Sequence, residues 1–317
     1  MGLLAGTGLV SEALAVSVTV AVLLGFKQEL HKSLKKLDRR ELIATLQLLI
    51  MAAIALPLLP DRNLDPWQAL NPRSIGLLVL LIAGISYLGY FAMRVFGTRV
   101  GLLATAIIGA LVSSTAVTIS FARMARKGQS SMAVLGAGIS LASGTMALRI
   151  LVIVGIVNQS LLTLLAVPIA LLAIVPLIAA VAIATRTAKT EQVVEIELRN
   201  PIELGSALIY AGVLSVLFIL IHAMESWFGN AGIYLLSAIS GITDVDAVSL
   251  SLAEATKGDL ALSVGAMGIL IAAMVNTIVK AVIAFVIGGW NLARWCATIL
   301  LGALAISFLS VLILGIK

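Results

Sequence analysis

Two carboxylates and two bases stand where charge is most costly in this chain. Asp244 and Asp246, in the stretch "GITDVDAVSL", and Arg149 and Lys280 all lie within long apolar runs. An ionisable residue in such a run is by default a candidate for function. A hydroxyl cluster, Ser113, Ser114 and Thr115 in "GALVSSTAVTIS", joins them. Carboxylate and hydroxyl oxygens are hard ligands suited to Na⁺, Mg²⁺, Ca²⁺ or Mn²⁺, and a desolvated carboxylate can also carry a proton. The two bases suit either of two tasks: they balance the acids when no ion is bound, or they hold an anion beside helix N-termini. The plainer alternatives are that the aspartates cap a helix in a wet loop and that the bases snorkel to lipid headgroups.

These groups belong to a chain of 317 residues that is 61% hydrophobic and 11% charged, with a mean hydropathy of +1.15. A soluble domain carries about 25% charged residues, so the composition excludes one and defines an integral membrane protein. The apolar runs are continuous rather than alternating, which selects helices over a membrane barrel. Ten such segments are expected: Leu9 to Phe26, Leu42 to Leu59, Ile75 to Met93, Gly101 to Ala122, Met132 to Val157, Leu161 to Ala184, Ile202 to Ile221, Gly232 to Ala253, Leu260 to Ile287 and Trp295 to Ile316. The first lacks a basic stretch before it and reads as a retained span. The net charge of +6 lies in connections between apolar runs, as in "KQELHKSLKKLDRR", which argues for membrane topology and lipid contact and against nucleic acid. Cys296, the single cysteine, reads as a small buried side chain, and two histidines offer no metal-site spacing. Nothing matches a nucleotide-binding loop. No enzymatic chemistry and no resident cofactor are expected.

The chain also repeats itself. At one offset of 131 residues Thr115 meets Asp246, Arg149 meets Lys280, Gly101 meets Gly232 and Ser120 meets Ser251. Both halves open on similar tripeptides, "LNP" at residues 70–72 and "RNP" at 199–201. The expected organisation is a two-helix unit over 1–60, a first repeat over 70–185 and a second over 199–317, with four apolar segments in each repeat.

Charge decides how the repeats are oriented. If every segment crosses, Lys and Arg divide almost evenly between the two faces. If the second segment of each repeat instead dips in and returns, breaking near Ser113-Ser114 and near Gly241 to Asp244, the outcome changes. The basic stretch at 27–40 then shares one face with Arg94, Arg99, Arg123, Arg126, Lys127, Arg186, Lys189, Arg199 and Arg294. Only Arg62, Arg73, Lys257 and Lys317 remain on the other. The positive-inside rule favours this arrangement, which gives a polytopic all-α bundle of two inverted repeats, each with a re-entrant broken hairpin. Secondary transporters of that design bind substrate near the midplane, where the broken helices meet. The expected ion site is Asp244, Asp246, Ser113, Ser114, Thr115 and Thr243, with the two aspartates as metal ligands and Arg149 and Lys280 compensating charge. Asn276 and Thr145, each four residues before a base, share its helix face and line the pathway or tie helices together.

The stretches "LDRRELIATLQLLIMAAIALPLLPD", "GLLATAIIGALVSSTAVTISFARMAR" and "SGITDVDAVSLSLAEA", followed by "NTIVKA", resemble the membrane domain that follows the MgtC/SapB domain in many bacterial proteins. The resemblance covers the chain from about residue 35, and the first span resembles the last helix of an MgtC/SapB portion. It implies a multi-pass protein of the bacterial inner membrane with a loose link to magnesium, and it supplies no substrate. The leading expectation is a secondary transporter of a small inorganic cation, divalent or monovalent, working by alternating access with proton exchange as an option. A non-transporting MgtC-like regulator and an anion transporter or channel are the alternatives. A homodimer is compatible with either kind.

Overall fold

The computed structural model of the chain describes residues 39–65, 70–96, 102–186 and 204–315. The expected first span and the basic stretch as far as residue 38 lie outside them. The chain divides into two units, Met1–Leu49 and Ile50–Lys317. The described part of the first is helical and belongs to α1 (Arg39–Ile50).

In the second unit a π-helical turn, Met51–Ala55, precedes a short helical end at Leu56–Leu58 that contains Pro57. Helices then follow one another: α2 (Pro72–Phe96), α3 (Leu102–Arg126), α4 (Met132–Val157), α5 (Gln159–Arg186), α6 (Leu204–Phe228), α7 (Asn230–Thr243), α8 (Val245–Ala255), α9 (Leu262–Gly288) and α10 (Trp290–Leu314). The fold is all-α among the described residues. Local sequence sets several of the boundaries. Asn71 caps α2 by accepting hydrogen bonds from the Arg73 and Ser74 N–H groups at 3.0 and 3.2 Å, and Pro72 takes the first helical position, where no donor is needed. Asn158 caps α5 in the same way, from Ser160 and Leu161. Single glycines turn α6 into α7 and α9 into α10. Gly229 (φ +57°) and Gly289 (φ +84°) adopt conformations that any β-carbon would strain.

Among the described residues six helices, α3, α4, α5, α6, α9 and α10, are long and apolar enough to cross a bilayer. Their outer faces display Ile178, Ile209, Val286 and Ile313 more than half exposed, as lipid-facing surfaces do.

Two interruptions organise the interior. In α3, Ser113 leaves helical geometry (φ −159°, ψ 105°). Between α7 and α8, Asp244 does the same (φ −147°, ψ 117°). The two positions are separated by the repeat offset of 131 residues. Each caps the arm that follows: Ser113 Oγ accepts from the Ala116 N–H at 3.2 Å, and Asp244 Oδ1 from the Asp246 N–H at 2.9 Å.

The buried apolar side chains form two clusters. One gathers residues from both arms of α3 (Leu102, Ala106, Val117, Phe121), the start of α4, Ala284 near the end of α9 and the start of α10. The other gathers α7, α8, the end of α4, the start of α5 and the start of α9. Helices α4 and α9 meet at their middles, where the Ser143 and Thr277 hydroxyls lie 3.4 Å apart. Along α9, Gly265 faces Thr256, Gly268 faces both Leu252 and Ile233, and Gly241 lies against Ala272. Gly268 of α9 thus lies beside the start of α7 and the end of α8 at one level.

Candidate functional site

The two breaks and the α4–α9 crossing border a partly open cavity of about 370 Å³. Ser113, Ser114 and Thr115 line it from the first break, and Thr243, Asp244 and Asp246 from the second. Arg149 and Met146 enter from α4, Asn276 from α9, Tyr210 from α6, and Val79, Ile82 and Ala83 from α2. A break puts these side chains here because each helix end leaves carbonyls and N–H groups without intrahelical partners. Those orphaned groups require polar neighbours when buried.

Arg149 meets that requirement on both sides at once. One guanidinium nitrogen donates to the Leu111 carbonyl, in the last turn before the first break, at 2.9 Å. Another is paired with Asp246 Oδ2, just beyond the second break. Both side chains are buried, at 9% residual exposure for each residue, so Arg149 ties the two breaks together instead of reaching for headgroups. Asn276 serves the second break alone, donating from Nδ2 to the Gly241 carbonyl at 2.8 Å.

Several buried polar atoms of the cavity-lining residues have no hydrogen-bond partner among the described residues: Asp246 Oδ1, Asn276 Oδ1, the Tyr210 hydroxyl and Arg149 Nε. Three of the four can accept. With the acids ionised, the lining carries two carboxylates against one guanidinium, a net charge of −1.

Lys280 and Thr145 do not line the cavity. Lys280 is 1% exposed, and its ammonium lies 2.9 Å from the Met146 thioether sulfur. It forms no ion pair among the described residues and sits behind the wall that Met146 builds. Thr145 returns its hydroxyl to its own helix, donating to the Leu141 carbonyl at 2.9 Å. Thr243 likewise donates to Ser240, at 3.0 Å, while still facing the cavity. Cys296 is fully buried against Gly136. Among the described residues no three His, Cys, Asp or Glu side chains come together, so any metal held here meets at most the two aspartates as charged ligands.

Three components of the site escape sequence reasoning. Tyr210 appears in the sequence as one aromatic in an apolar run. Its repeat equivalent, Val79, also lines the cavity, and that is the one signal that could have found it. Met146 carries no chemical signature. The Leu111 carbonyl is backbone and has none.

Fold and site together define a polytopic helical membrane protein with a polar cavity between interrupted helices. The chain belongs to the family described as "Domain of unknown function (DUF4010)", which residues 80–288 match. An MgtC/SapB portion is not part of that match. A relative, an uncharacterised protein of Aquifex aeolicus (strain VF5), is 32% identical over 204 residues, which cover 63% of this chain and 87% of the relative. No solved structure matches the chain.

Proposed function

We propose that this protein is a secondary transporter of a small inorganic cation in a bacterial inner membrane, working by alternating access around the cavity between two inverted repeats. The observation that carries the proposal is the oxygen-rich lining, in which Asp244, Asp246 and the hydroxyls of Ser113, Ser114, Thr115 and Thr243 face a single base, Arg149. An oxygen-lined, acceptor-rich wall suits a hard cation. An anion would call on both bases, and Lys280 is held away from the lining.

The inverted arrangement draws support from contacts that full crossings would forbid. If every apolar element crossed the bilayer, Asn158 and Thr256 would emerge on opposite faces, yet Asn158 Nδ2 donates to Thr256 Oγ1 at 3.1 Å. Gly288 at the end of α9 and the Ala122 carbonyl near the end of α3 would also be parted, and they are neighbours. The same holds for Gly136 and Trp295. All three contacts are satisfied if α3 and the α7–α8 pair each dip in and return to their own side. The start of α7 and the end of α8 meeting at one level of α9, and the gathering of both arms of α3 in one apolar cluster, fit the same reading. Broken backbone at that depth is tolerated because it is buried in protein and lines a polar cavity.

Alternating access then has a physical basis. Arg149 holds Asp246 while the site is empty, and an arriving cation competes for the same carboxylate. Releasing Arg149 from Asp246 frees one break from the other, so occupancy and the coupling of the repeats are linked. The test is uptake of Mg²⁺, Mn²⁺, Ca²⁺ and Na⁺ by proteoliposomes containing the full chain. At least one cation should enter, and Asp246→Asn should abolish that entry. Absence of flux for every cation would overturn the proposal.

A further inference from the structure

We infer that the groove between α9 and α10 binds one anionic phospholipid, with its phosphate on Arg294 and an acyl chain laid along the groove. This site does not depend on the transporter reading, and it shares no lining residue with the polar cavity.

The groove has a volume of about 510 Å³ and is lined mainly by apolar side chains, among them Phe285 of α9 and Leu301 of α10. Both are more than half exposed, so the groove opens outward. Its two ends differ. One lies at the turn between the helices, where Trp290 and Arg294 stand. The other lies at Thr277 and Leu304, and Thr277 marks the middle of α9, where that helix crosses α4. Between Arg294 and Leu304, α10 advances by about 15 Å at ~1.5 Å per residue, half of a hydrocarbon core of about 30 Å. That is the depth of one leaflet. A groove that starts at the membrane surface and stops at the midplane fits an acyl chain, whereas a crossing partner helix would continue past it.

Charge complementarity selects the headgroup. Arg294 is exposed, and the ion pairs among the described residues leave it unpaired. Trp290, 66% exposed beside it, is the residue type that sits at headgroup level. The contact between Gly288 and the Ala122 carbonyl brings the end of α3 to the same end of the bundle, and with it the exposed Arg123, Arg126 and Lys127. Neither the α3–α4 connection nor the α9–α10 turn contains an Asp or Glu. A guanidinium presents paired N–H donors that match a phosphate, and basic pockets between membrane helices hold such headgroups. An apolar helix packed here would instead bury Arg294 without a counter-charge, which is costly.

Native mass spectrometry of the full chain in detergent tests this, with phosphatidylglycerol and phosphatidylcholine of identical chains added in equal amounts. One phosphatidylglycerol should be retained over phosphatidylcholine by at least about fivefold, the share of one basic residue near a headgroup. Arg294→Gln should bring the two lipids to parity, and Ala297→Phe, which fills the groove, should lower retention of both. Arg294 is exposed, so its variant keeps the packing intact and decides the matter even if Ala297→Phe fails to fold. Glycerol phosphate, a headgroup without chains, should displace neither lipid. Equal retention by the unsubstituted chain, or a preference that survives Arg294→Gln, would overturn the inference. Displacement by glycerol phosphate would make this a site for a soluble anion, and a dimer that Ala297→Phe dissociates would make it an interface between copies; either result also overturns it.

Discussion

Replacing Arg149 by methionine removes the group that holds the two breaks together and leaves Asp246 buried without its counter-ion. Two contacting charges about 4 Å apart interact by about 4 kcal/mol at an effective dielectric of ~20. Removing one member of a buried pair costs about 3–5 kcal/mol. Arg149→Met should therefore lower stability by that amount, with about a further 1 kcal/mol from the orphaned Leu111 carbonyl. Adding Asp246→Asn to the same chain removes the stranded charge and should recover all but about 1–2 kcal/mol, since neutral replacement of a buried pair is often tolerated. Asp246→Asn should thus stabilise the Arg149→Met chain by about 2–5 kcal/mol while destabilising the unsubstituted one, a difference measurable as a double-mutant cycle from reversible unfolding in mixed micelles followed by circular dichroism. The double variant should fold and yet carry no cation. Additive effects within about 0.5 kcal/mol would refute the reasoning, because they would mean that Arg149 and Asp246 do not share one buried environment.

Two further predictions separate residues that sequence alone treats alike. Asn276→Leu strips the buried Gly241 carbonyl of its donor and should cost about 1–3 kcal/mol, whereas Thr145→Val, at the equivalent repeat position, removes only a bond within its own helix and should cost under about 1 kcal/mol in the same unfolding assay. Gly241→Ala would place a β-carbon 2.6 Å from the Ala272 carbonyl oxygen and should destabilise by about 1–3 kcal/mol through overpacking. Gly212→Ala, with nothing within 4 Å, should be neutral or stabilising by up to about 1 kcal/mol.

Much of the architecture was legible because a bilayer makes polar exceptions conspicuous. Ser113 and Asp244 could be placed at breaks, since hydroxyl and carboxylate side chains cap helices and both occur within apolar runs at one repeat offset. The offset also paired Arg149 with Lys280, but it could not tell their fates apart. Arg149 meets Asp246 because its guanidinium forks to two partners, whereas Lys280 has a single ammonium and ends against the thioether of Met146. That difference is set by the α4–α9 crossing, a tertiary fact with no local signal. Tyr210 was illegible for a similar reason: which face of α6 turns inward depends on its neighbours. The π-helical turn at Met51–Ala55 has no distinctive composition, and its place just ahead of Pro57 is the one hint of it.

The proposed inverted pair of returning elbows is tested most directly by where their ends emerge. Cys296 is the chain's single cysteine, so Cys296→Ala provides a background for Lys127→Cys, Asn230→Cys and Lys257→Cys, all at exposed positions. Labelling with a membrane-impermeant maleimide should find positions 230 and 257 on one face and position 127 on the other. Positions 127 and 257 reacting from the same face, with 230 opposite, would make both elbows plain crossings and contradict the account.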